Sequence, residues 1–125
     1  MNLQIFKDKK FEKIIASMVD YLTVMVEEYP DEDCRYTQEH IDECGKILDG
    51  YIDELVALNG NSNSDKILAC VKNVVIALNE LNIKTGYSLI ETDQREYLYD
   101  FIVKVAVEAG LPQPSNDITE EWRMW

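Results

Sequence analysis

Four carboxylates, Glu39, Asp42, Asp49 and Asp53, stand at spacings that place them on one face of a helix, interrupted only by Lys46. Glu39 and Asp42 form a Glu-x-x-Asp pair, and oxygen donors at i, i+3 suit a hard cation such as Mg²⁺. Two chemistries follow from such a face. It can hold a metal for hydrolysis if a neighbouring helix supplies further carboxylates, or it can stay solvated and meet a basic partner. A run of charge on one side of a helix is most often a solvated face. The solvated face is therefore the expectation, with no bound ion and no cofactor.

The other reactive residues are few. Cys34, His40 and Cys44 flank a helix start, and His40 and Cys44 are i, i+4. Structural zinc sites pair two ligand clusters, and the second is missing. Cys44 therefore reads as core and His40 as a first-turn residue, with no metal assigned. One imidazole cannot support a di-iron bundle, which needs Glu-x-x-His twice, and it offers the only base for a Ser or Cys nucleophile. The glycines are scattered, so no phosphate-cradling loop is present. A polar run, Glu91-Thr92-Asp93-Gln94-Arg95-Glu96, precedes a helical segment. Asp93 and Glu96 have capping-box spacing, and Arg95 can pair with Glu91, Asp93 or Asp100; the alternative is a polar recognition site. Trp122 and Trp125, the two tryptophans of the chain, lie three residues apart near its end. They are expected to dock on the chain's own bundle or on another subunit.

The charge is uneven. Residues 30–60 hold nine acids against two bases, and residues 91–125 hold eight against three, within a net charge of −12. A polyanion repels phosphate backbones, so nucleic-acid binding is not expected. A length of 125 residues suits a single helical domain, residues 1–125, and no apolar run reaches the roughly 18 residues of a membrane span. The N-terminus lacks the apolar core of a signal peptide, and three cysteines form no disulfide framework. These features point to a reduced, cytoplasmic protein.

The elements that must position these residues are helical throughout. Apolar residues recur at three- and four-residue steps at Phe11, Ile14, Ile15, Met18, Leu22, Met25 and Tyr29, before Pro30. A second stripe, Ile41, Cys44, Leu48, Ile52, Leu55 and Val56, follows Thr37 as N-cap and a Tyr36–Ile41 staple. The run ILACVKNVVIALNELNI is apolar nearly all round and predicts a helix buried on most sides. Gly86 can end it in the left-handed conformation, with Tyr87 as its hydrophobic contact. The last long stripe is Leu98, Phe101, Ile102, Val105 and Ala109, stopped by Gly110-Leu111-Pro112. Ile118, Trp122 and Trp125 then suggest a short amphipathic helix. The spacing predicts helices near 5–29, 37–59, 64–85 and 93–109 in an up-down four-helix bundle, all-α, with a short C-terminal helix.

ETDQRE and, further on, DITEEWR resemble segments of a small all-helical bacterial family of uncharacterised function, which implies a bacterial source and a helical fold. The Glu39/Asp42 face resembles that of acidic helical nucleotide pyrophosphatases, and that resemblance implies a Mg²⁺-dependent hydrolase. In charge and class the chain is also similar to bacterial immunity proteins, which cover basic nuclease toxins. The leading expectation is a non-enzymatic interaction protein that meets a basic protein partner through Glu39, Asp42, Asp49 and Asp53 or through Trp122 and Trp125. A homodimer that covers the acidic helices is the remaining alternative.

Overall fold

The computed structural model describes residue 3 and residues 12–29, 36–58 and 63–125. The periodic segments form α1 (Glu12–Glu28), α2 (Gln38–Ala57), α3 (Ser64–Lys84) and α4 (Thr92–Glu108), and the described residues contain no β-strand. Phe11, Pro30 and Cys34 lie outside the described residues. Consecutive helices pack on one another and α4 returns against α1, which makes a four-helix bundle with α2 and α3 as the most intimate pair.

Burial explains the arrangement. Helix α3 contributes most, with Ile67, Val71, Val75 and Leu78 wholly buried, although Ile76 and Ile83 on its outer side are exposed. The helix is thus wide-faced rather than buried all round. The α2 stripe runs through Ile41, Cys44, Leu48, Ile52 and Leu55, and Tyr51 joins it in place of Val56, which is exposed. Tyr51 is large enough to cross the core: its hydroxyl donates to the Ile102 carbonyl on α4 at 2.8 Å, and its ring meets Phe101 edge-on. Buried hydroxyls persist only with such partners. On α1 the fully buried residues are Ile14 and Met18, while Tyr29 is exposed.

Helices α3 and α4 end in the same way. Gly86 (φ 66°) follows the cap Thr85; its N–H bonds Ile83 O at 2.9 Å, and Tyr87 N–H bonds Asn82 O at 2.7 Å. Gly110 (φ 122°) repeats the pattern with Val107 O and Ala106 O, each at 3.0 Å. These are Schellman motifs, which satisfy carbonyls left over at a helix end. The two differ in their hydrophobic contact. Leu111 is buried, whereas Tyr87 is 58% exposed and itself left-handed at φ 64°.

Two terminal features correct the sequence reading. The cap of α4 is Glu91, not Asp93, and the N3 partner is Gln94, whose Oε1 accepts the Glu91 N–H at 3.1 Å. The helix starts early because the entering chain is already fixed. Ile90 N–H bonds the buried Asn82 side chain at 3.0 Å, and Leu89 N–H bonds Thr85 Oγ1 at 3.3 Å. The segment after α4 forms turns over 118–122 rather than an α-helix. Met124 N–H, which a helix would give to the Glu120 carbonyl, goes instead to Asn79 Oδ1 on α3 at 2.9 Å.

Candidate functional site

The α2 carboxylates are positioned by the burial of the opposite side of their helix. Glu39, Asp42 and Asp53 are exposed, and Asp49 is half-buried. Glu39 to Asp53 spans about 21 Å at 1.5 Å per residue, so the face is long rather than focal. Asp42 accepts a hydrogen bond from Gln38 Nε2 at 3.0 Å, one turn earlier on the same helix. Glu43 pairs with Lys84 at the end of α3 at 3.1 Å, and both side chains are well exposed. Such a pair contributes little to stability. Among the described residues, no three His, Cys, Asp or Glu side chains gather closely enough to hold a metal ion.

His40 occupies the N3 position of α2, where a capping box usually has Glu or Gln. Its Nδ1 accepts the Thr37 N–H at 3.1 Å. That bond uses the Nδ1 lone pair, so the ring proton sits on Nε2. The imidazole therefore serves the helix start. Cys44 is wholly buried, and burial pushes its thiol up to about 12. Burial and the neighbouring Glu54 carboxylate push the Cys70 thiol up to about 11. Both stay protonated at neutral pH and neither is a ready nucleophile.

The cluster at the start of α4 comes next to α1. Glu91, Asp93, Arg95 and Glu96 are all exposed. Glu91, Thr92, Asp93 and Gln94 line an open cleft of about 380 Å³ with Tyr21 of α1. Gln94 is buried beneath it and reaches Ser17 Oγ with its Nε2 at 3.4 Å. Tyr21 in turn stacks on Tyr36, ring centroids 6.0 Å apart, and Tyr36 immediately precedes the cap of α2. The hydroxyl of the buried Tyr36 donates to Met18 O at 3.1 Å and fixes this ring pair to α1. The starts of α2 and α4, one from each acidic segment, thus share an end of the bundle and flank a partly exposed tyrosine. The sequence contained the acids but gave no sign of their convergence, because it runs through Tyr21 on α1, 70 residues before Glu91 and on a different helix from either acidic start.

Trp122 and Trp125 lie elsewhere, half-buried with Ile118 against the core. Asn79, buried on α3, donates through Nδ2 to Trp122 O at 2.7 Å, and Arg123 lies over the Trp125 ring at 5.5 Å. Asn79 escaped the sequence reading because it lies within a run read as apolar nearly all round. Its position one turn before Asn82, in a run otherwise suited to burial, was the available signal. With both indoles held on their own bundle, tryptophan emission should be blue-shifted and unchanged on dilution from high to low micromolar concentration. A dilution-dependent red shift with a change in hydrodynamic size would show a subunit interface instead.

No family model, curated protein or solved structure matches the chain. No helix among the described residues is long and apolar enough to cross a membrane.

Proposed function

We propose that this chain is a non-enzymatic, cytoplasmic interaction module that binds a basic protein partner, in the manner of immunity-type proteins. The observation that supports the reading is the shared end of the bundle. There, Glu91 and Asp93 at the start of α4 line a cleft with Tyr21, whose ring stacks on Tyr36 just ahead of the α2 cap, and Glu39 and Asp42 are exposed near the start of α2. Exposed carboxylates accelerate encounter with a basic surface, and a partly exposed aromatic supplies contact area at low entropic cost. An excess of twelve negative charges over the whole chain acts in the same direction.

Metal-dependent hydrolysis makes a different demand on the same carboxylates. They would have to draw a cation between them, and calorimetric titration with Mg²⁺, Mn²⁺ and Zn²⁺ separates the readings. The interaction reading expects only weak, non-stoichiometric heats from the acidic face. Tight one-to-one binding that disappears in Asp42→Asn would overturn it.

A further inference from the structure

The C-terminal segment is built differently from the helices it covers. Asp117 organises it from within. One carboxylate oxygen accepts the Thr119 N–H at 2.8 Å and the Thr119 hydroxyl, and the other pairs with Arg123 Nη1 at 3.0 Å. Arg123 N–H closes the turn on Thr119 O at 2.8 Å. These bonds lie wholly inside the segment and ask nothing of the bundle.

Its polar attachment, by contrast, is concentrated in one side chain. The Asn79 amide makes two bonds to the backbone of this segment, giving Nδ2–H to Trp122 O at 2.7 Å and taking Met124 N–H on Oδ1 at 2.9 Å. Docking also leaves a defect. Among the described residues the buried Trp125 Nε1–H has no hydrogen-bond partner, which penalises the docked state. The link to α4 suits a hinge, because Leu111 is anchored in the core while Pro112, Gln113, Ser115 and Asn116 are exposed.

We propose that Asp117–Trp125 is a strap that opens as a unit, independently of the four helices, with Asn79 as its latch. When closed, it shields the tryptophans and the α3 surface around Asn79. When open, it presents both, so the aromatic surface of this chain is conditional on the latch. The internal turn held by Asp117 lets the strap leave and return in one shape. Regions with few polar ties to the core are where local opening concentrates.

The chain carries a convenient pair of reporters. Both tryptophans are in the strap, so their fluorescence reads the strap, whereas far-ultraviolet circular dichroism reads α1 to α4. In urea, the fluorescence midpoint of the intact protein should fall below the dichroism midpoint. Asn79→Leu, close in size and leaving no buried charge, should lower the fluorescence midpoint further while the dichroism midpoint moves much less. Asn79→Ala should separate the transitions in the same sense. Coincident transitions in the intact protein, or variants in which both midpoints move together, would overturn the proposal and make the strap part of one cooperative unit.

Discussion

Leu78→Ala should lower the stability of the bundle by about 2–5 kcal/mol, measured by urea unfolding followed by circular dichroism. Leu78 is wholly buried on α3, the helix that contributes most to the core. Truncation removes apolar contacts and leaves a cavity that the surrounding side chains fill only in part. The same change at Ile83, 44% exposed on the outer side of the same helix, should cost far less. Equal losses at the two positions would contradict the assignment of inner and outer faces.

Alkaline pH should destabilise the protein through Cys44. The buried thiol is held up to about 12, against an ordinary value of 9.0, because ionising it would place a charge in the core. Below about pH 9 both folded and unfolded thiols keep their proton, and the group contributes nothing to pH dependence. As pH rises from 9 towards 12, the unfolded chain releases a proton that the folded chain retains, so stability falls. Three units correspond to about 4 kcal/mol by the upper end of that window. Cys70, raised to about 11, acts in the same direction over a narrower range. Cys44→Ala should flatten the decline in unfolding free energy above pH 9, even though it lowers stability at neutral pH. An unchanged slope in that variant would show that other groups govern the alkaline limb.

What the sequence made legible follows from the range of each physical signal. Apolar spacing is local, so the four helices and residues such as Val75, Leu78, Leu98 and Ile102 could be placed on inner faces without any structure. Capping is local as well, yet His40 and Gln94 took N3 roles because backbone geometry, not residue type alone, decides which side chain reaches the free N–H. The buried amides Asn79 and Asn82 serve backbone groups 45 and eight residues away, Met124 and Ile90. No periodicity encodes those distances. The same holds for the stacking of Tyr21 on Tyr36, which brings the two acidic helix starts together. Charge could be counted from the chain, but its convergence at one end of the bundle needed the fold.

That convergence is the centre of the functional reading, and association kinetics test it most directly. The full chain is used to capture its partner, and the purified partner is then mixed with it in a stopped-flow instrument. The wild type and the triple variant Glu39→Gln/Asp42→Asn/Asp93→Asn are compared as salt rises from about 0.05 to about 0.3 M, across which the Debye length shrinks below ~10 Å. All three side chains are exposed, so the fold should survive their neutralisation. The account predicts a basic partner whose association rate drops roughly tenfold or more with salt for the wild type. It also predicts a slower rate and a shallower salt dependence for the variant. A partner that associates at the same rate with both proteins, indifferent to salt, would contradict the assignment of the acidic end as the binding surface.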